Sequence, residues 1–244
     1  MPAIGIETVG LKKRLGRNQA LDGTTFSFAP GLLHGLIGPD GAGKTTLMRT
    51  LMGLLKPDAG TLRFTRGGAE VALAEIRPGM AYMPQRQCLY ADLSVGEHLD
   101  FFRELYRLPD DVYRPRRKEL LEITRLDKFV DRPAGNLSGG MYKKLGLMCA
   151  LLQSPNVLLL DEPTNGVDPI SRREFWELLY RLSGEGAVTI VVSTAYMDEA
   201  ERCARVHLLD RGRALAEGEP RDVLRAEGAS GFDELFMKRE AAAR

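Results

Sequence analysis

Gly38-Pro39-Asp40-Gly41-Ala42-Gly43-Lys44-Thr45-Thr46 decides how this chain folds, because two different periodicities meet at it. Upstream, Leu32 to Ile37 is a short apolar run that reads as a buried strand. Downstream, Thr45 to Leu55 reads as a helix. Between them, glycines at the first and sixth positions followed by Lys-Thr form the pattern of a phosphate loop. Backbone amides and the positive end of the helix then converge on one anion. Glycine lets the backbone come close to it. Lys44 is expected to reach the β and γ phosphates, and the Thr45 hydroxyl to hold Mg²⁺. Gly38, Pro39, Asp40, Gly41, Ala42, Gly43 and Thr46 complete the expected nucleotide contacts. A Gly-rich turn that binds nothing is the bland alternative, and strand, turn and helix in register argue against it.

Working outward, short apolar runs at Met80 to Met83, Val157 to Leu160, Val188 to Val192 and Val206 to Leu209 alternate with helical stretches. That rhythm indicates an α/β fold with a largely parallel, buried sheet. The run Val157 to Leu160 ends in Asp161-Glu162. Beside a phosphate loop, the first acid is expected to hold Mg²⁺ through water and the second to orient and deprotonate the attacking water. Leu137-Ser138-Gly139-Gly140-Met141 is a second anion cradle, built without a lysine. Ser138 also reads as the cap of a helix from Met141 to Leu152, and one hydroxyl can serve both purposes.

The chain has 244 residues, 44% of them hydrophobic, enough for the core of one large domain with a smaller inserted lobe. Lys plus Arg at 34 against Asp plus Glu at 33 leaves a net charge of +1, so no overall field favours nucleic acid. Cys88, Cys149 and Cys203 show no paired spacing, which argues against disulfides or zinc and fits a reducing cytosol. No apolar run approaches the ~20 residues of a membrane span. The N-terminus lacks the pattern of a signal peptide.

One domain is expected over 1–244, with a helical insertion at about 86–137. Within it, Ser94 to Glu97 is a capping box, and Val95, Leu99, Phe102 and Leu105 or Tyr106 follow at helical spacing. Pro115 is placed at the start of a second helix that buries Leu120, Leu121, Ile123 and Leu126. Asp110, Asp111 and Arg114 to Lys118 are read as a solvated connection, and Glu240 to Arg244 as a frayed end.

Over essentially its full length the chain resembles the ATP-binding cassette family. The resemblance rests on residues 38–46, Tyr82-Met83-Pro84-Gln85, Leu137 to Met141, Leu158 to Pro163, and Asn165-Gly166-Val167-Asp168. It implies a nucleoside-triphosphatase core with a mainly parallel sheet, an antiparallel β part on the N-terminal side and an inserted helical subdomain. It also implies ATP and Mg²⁺ as ligands and a head-to-tail dimer. There Ser138, Gly139 and Gly140 would complete the site of a second ATPase subunit, the same chain or a different one. Gln85 matches the glutamine that contacts Mg²⁺ or water at the hinge into the helical lobe, and with Glu162 makes the catalytic pair. Asp168 matches the family's D-loop aspartate and, before Pro169, also reads as a helix cap.

Four positions depart from that pattern. Ala195 follows Ser193-Thr194 where the family places a histidine that contacts the γ phosphate. Leu15 stands where an aromatic ring often stacks on adenine, so it can pack but not stack. Asp40 replaces a common asparagine, and Met141 a glutamine. His34, His98 and His207 lie in other segments and read as structural or surface residues.

The expected function is the ATP-hydrolysing subunit of a transporter of the export type, whose membrane subunit is a separate polypeptide. The chain would then sit on the cytoplasmic face of the membrane through that partner, turning over slowly because of Ala195. The alternatives are a weakened regulatory cassette in a heterodimer and a soluble, non-transport ATPase.

Overall fold

The computed structural model describes residues 2–86, 89–184 and 186–242. Cys88 lies outside the described residues, as do Ala243 and Arg244.

The chain opens with β1 (Ile4–Leu15) and β2 (Asn18–Phe28), joined by a tight turn in which Gly16 has φ 60°. Then come β3 (Leu33–Ile37), α1 (Lys44–Leu51), β4 (Ala59–Arg66), β5 (Ala69–Val71), the single turn α2 (Leu73–Ile76) and β6 (Met80–Met83). The helical stretch α3 (Val95–Tyr106), α4 (Asp110–Thr124) and α5 (Gly139–Leu151) separates β6 from β7 (Val157–Asp161). The chain ends with α6 (Pro169–Ser183), β8 (Thr189–Thr194), β9 (Arg205–Asp210), β10 (Arg213–Gly218), α7 (Pro220–Ala226) and α8 (Phe232–Ala242).

Two sheets result. One is antiparallel, in the order β2-β1-β4-β5. The other has the order β10-β9-β3-β8-β7-β6, parallel throughout except for β10 against β9. The parallel strands are buried on both faces, which is why they read as unbroken apolar runs. Successive residues feed two cores: Leu158 and Leu160 join the one built with α3 to α6, whereas Val157 and Leu159 join the one built with α1 and the antiparallel sheet. The rhythm read from the sequence is therefore the larger sheet. The smaller one is obscured by irregularities such as the register shift between Thr8 and Leu11.

Three boundaries need correction. α1 stops at Leu51 instead of Leu55, because Gly53 turns the chain into the left-handed region at φ 73°. α4 starts at Asp110, not at Pro115, so the stretch read as a solvated connection is helical. Pro109 supplies the extended cap residue, and Asp110 and Asp111 in the first turn suit the helix dipole. Pro115 lies inside the helix, where it forgoes one backbone hydrogen bond. Nor is the basic run only solvated, since Arg116 donates to the Leu151 carbonyl at 3.2 Å and satisfies the end of α5. Third, the closing tract is helical as far as Ala242.

The capping box at Ser94 and Glu97 forms as read. Leu120, Leu121 and Leu126 are buried, while Leu105 is exposed and Phe102 and Tyr106 pack inward. No helix among the described residues is long and apolar enough to cross a membrane.

Candidate functional site

The phosphate loop emerges from β3 at the carboxyl end of the parallel strands, where open α/β sheets place ligands. Its course is dictated by close contacts. A Cβ on Gly38 would lie 2.1 Å from the Leu209 carbonyl oxygen, and one on Gly43, at φ 107°, 2.4 Å from that of Ala20. Gly212 N donates to the Ala42 carbonyl at 2.8 Å, tying the loop to the β9–β10 turn. The Lys44 side chain, 4% exposed, curls over its own loop and donates from Nζ to the carbonyls of Gly38 (2.8 Å) and Pro39 (3.2 Å).

Above the loop opens a cavity of about 350 Å³. Residues 40–46 form its floor, Leu15, Asn18 and Ala20 one wall, and Gln85 and Glu162 the other. Leu15 is 44% exposed there. Asp40, Gly41, Ala42, Gly43, Lys44, Thr45, Thr46, Leu15, Gln85 and Glu162 are thus brought together.

The two acids at the end of β7 have separate environments. Asp161 is fully buried and accepts from Ser193 Oγ at 2.6 Å and from the Tyr82 hydroxyl at 3.0 Å. Burial, with the Asp161 carboxylate beside it, pushes the Tyr82 phenol up to about 12. The parallel register that sets Asp161 opposite Ser193 creates the shorter bond. Glu162 turns the other way, into the cavity, with a left-handed φ of 46° that a side chain rarely adopts. Ser193 holds it there, its Oγ accepting from Glu162 N at 3.0 Å. Glu162 Oε2 accepts from Gln85 Nε2 at 2.6 Å and from Asn165 Nδ2 at 3.1 Å, while Oε1 lies 3.4 Å from Lys44 Nζ. Lys143 Nζ donates to the Gln85 carbonyl at 3.2 Å, and burial lowers its pKa.

Ser138, Gly139, Gly140 and Asp168 do not line this cavity. Ser138 and Gly139 are exposed at the start of α5, where Ser138 Oγ accepts from Met141 N at 3.3 Å. A Cβ on Gly139 would touch only the Gly166 carbonyl oxygen, 3.8 Å away, whereas one on Gly140 would collide with Ser171 at 2.4 Å. Asp168 caps α6 by accepting from the amides of Ile170 (3.1 Å) and Ser171 (3.0 Å), and those bonds lower its pKa.

Ala195 borders a smaller cavity of about 170 Å³, lined by Asp40, Glu162, Thr164, Asn165, Thr194 and Tyr196. His34, His98 and His207 are fully buried in other parts of the fold, consistent with structural roles.

Tyr82, Ser193 and Asn165 lie within stretches quoted above but carried no role there. The register of β6, β7 and β8 decides the first two, and it has no local signal.

A family profile described as "ABC transporter" matches residues 21–165. The chain is 46% identical over 202 residues to a "Probable multidrug ABC transporter ATP-binding protein YbhF" from Escherichia coli, covering 83% of this chain but only 35% of that relative. It is 40% identical over 227 residues to a "Nod factor export ATP-binding protein I" from Ralstonia nicotianae, covering 93% of this chain and 70% of that one. A solved "ATP binding subunit of ABC transporter" superposes with a TM-score of 0.81 at 30% identity, covering 96% of this chain and 98% of the other.

Proposed function

The chain belongs to the ABC transporter family, and from that membership we propose that it is the ATP-binding and ATP-hydrolysing subunit of an exporter. The observation that carries the reading is the convergence of Lys44, Glu162 and Gln85 on one cavity above a phosphate loop. Lys44 would exchange its Glu162 contact for the phosphates, loop amides would hold their oxygens, and Glu162 would take the proton of the attacking water. A positioned base of this kind contributes roughly 10²–10⁴-fold.

Among the described residues no three His, Cys, Asp or Glu side chains cluster as a metal site. The donors suit Mg²⁺ nonetheless, since that ion takes phosphate and water oxygens with few protein ligands. Thr45 and Gln85 would bind it directly and Asp161 through water, and the ion would neutralise charge on the phosphates. The two hydroxyls on Asp161 fix the carboxylate for that task.

Ser138 and Gly139, open at the start of α5, would complete the nucleotide site of a second cassette in a head-to-tail dimer, with Gly140 and Asp168 at the same face. The helical segment from about 86 to 137 would form the lobe that meets a separate membrane subunit. Tyr90, Phe101 and Leu105, exposed on it with Tyr90 and Phe101 rings 5.4 Å apart, support such a docking face. The chain would then be held peripherally at the inner face of the membrane.

The cavity that Ala195 shares with Glu162 supports slow turnover, because a methyl group there can neither hydrogen-bond to a phosphate nor relay a proton. It also favours a second reading, a regulatory cassette that binds ATP but hydrolyses it weakly. The test is ATP turnover by the complex purified with its membrane subunit, for wild type and Ala195→His. Faster turnover in the variant is the expected result. Wild-type turnover at ordinary rates with no gain from histidine overturns the slow-site reading, and hydrolysis by neither protein favours the regulatory one.

A further inference from the structure

Glu162 is supported on one side by Lys44 and Gln85, and its other neighbours form a chain that leads to Tyr196. The Tyr196 hydroxyl donates to Asn165 Oδ1 at 3.3 Å, and Asn165 Nδ2 donates to Glu162 Oε2 at 3.1 Å. The carboxylate sets the direction of this chain: it accepts only, so the amide must turn its NH₂ toward Glu162 and its oxygen toward the phenol. Tyr196 is itself held in place. Its N donates to Thr194 Oγ1 at 2.9 Å, and the Arg172 guanidinium sits over its ring, 5.1 Å from the centroid. Arg172 is in turn 3.5 Å from Asp198. Glu162, Asn165, Thr194 and Tyr196 border the same small cavity as Ala195.

We propose that Asn165 and Tyr196 are a positioning pair that steadies the Glu162 carboxylate from the side where residue 195 supplies nothing. Asn165 fixes the oxygen that Gln85 also holds, and Tyr196 fixes the orientation of Asn165. The pair thus keeps the base aimed despite its strained backbone. Neither residue touches the reacting atoms, so both act through Glu162. This inference rests on the hydrolytic reading of the site.

The experiment measures kcat, KM and thermal melting for the assembled complex carrying Tyr196→Phe, Asn165→Ala, Ala195→His and Tyr196→Phe with Ala195→His. Tyr196→Phe is expected to lower kcat about threefold to tenfold and Asn165→Ala about tenfold to a hundredfold, with KM and melting temperature nearly unchanged. With histidine at 195, the loss from Tyr196→Phe should shrink to less than about twofold, because Glu162 then has support from a second direction. A merely structural tyrosine would lower melting and cut kcat equally in both backgrounds. Wild-type hydrolysis unaffected by Tyr196→Phe, or equal losses in both backgrounds, overturns the pair alone. No hydrolysis in wild type or in Ala195→His overturns the hydrolytic reading together with it.

Discussion

Lys44 Nζ lies 3.4 Å from Glu162 Oε1, and the two side chains are only 4% and 8% exposed. They neutralise each other in a desolvated pocket, so Lys44 must leave the carboxylate to reach a phosphate. Glu162→Gln removes the negative charge while keeping the shape. It should tighten ATP binding, because Lys44 is released and no carboxylate faces the γ phosphate. It should also lower turnover by about 10²–10⁴-fold, through loss of the base. A fluorescent ATP analogue reads the first and phosphate release the second. Turnover close to wild type would remove Glu162 from the role of base.

Lys144 on α5 is 8% exposed and is paired with Glu174 on α6 at 2.5 Å, with Arg125 3.0 Å from the same carboxylate. The contact lowers the pKa of Glu174. Glu174→Ala strands a buried ammonium and should cost about 3 kcal/mol in urea unfolding. Replacing both partners with apolar residues, Lys144→Met with Glu174→Leu, should cost less than about 1 kcal/mol. Equal losses would show that packing, not the uncompensated charge, sets the effect.

How much of this was legible depends on whether the signal is local. The β3, phosphate loop and α1 unit, and Asp161-Glu162 at the end of β7, are each written in fewer than about 20 consecutive residues. Pro115 misled because a proline in the second helical turn looks in sequence like one in the first; Pro109 holds the actual boundary. The antiparallel sheet entered only through the resemblance, since register shifts in β1 break its alternation. Of the support around Glu162, only Gln85 was legible, through the resemblance. Ser193 reaches Glu162 because β7 and β8 pair in one register, and Tyr196 reaches it through Asn165 across a turn.

His34 and His207 form a buried chain between the sheets. Their rings are linked by a 3.0 Å bond; His34 Nε2 lies 2.8 Å from the Ala29 carbonyl, and His207 Nδ1 lies 3.1 Å from Glu217. Burial, aided by His207 and Arg205, lowers the His34 pKa from 6.5 to about 4 although Ala29 and Glu217 oppose it, and burial lowers His207 too. The unfolded chain then binds protons that the folded one excludes between about pH 6.5 and 4. The stability contributed by neutral His34 is complete above that window and is lost as pH falls through it. At about 1.4 kcal/mol per pKa unit the loss is of order 3 kcal/mol. Glu217 acts in the same sense at lower pH: burial raises its pKa, but His207 and Ser27 N outweigh that and hold it down. Urea unfolding at pH 7, 5.5 and 4.5 should show this decline, with a shallower slope for His34→Gln. Identical slopes would exclude the histidine chain as the cause.

The adjacent glycines of the second cradle separate folding from assembly. Gly140 faces Ser171 so closely that a Cβ would lie 2.4 Å away, so Gly140→Ala must push α5 from α6. That variant should lose stability, by about 1–3 kcal/mol, as an overpacked contact does. Gly139 is different. Its Cβ would meet nothing nearer than 3.8 Å, and no left-handed backbone angle restricts it. Gly139→Ala should therefore melt like wild type and bind nucleotide as a single chain, yet hydrolyse ATP more slowly in the assembled complex. There the added methyl would stand between the α5 amides and the phosphate held by the partner. In a heterodimer of two cassettes the loss should fall on the partner's site, which single-site nucleotide trapping can distinguish. If Gly139→Ala leaves hydrolysis by the complex untouched, Ser138 and Gly139 are helix-capping residues only, and the head-to-tail arrangement loses its support from this end of the chain.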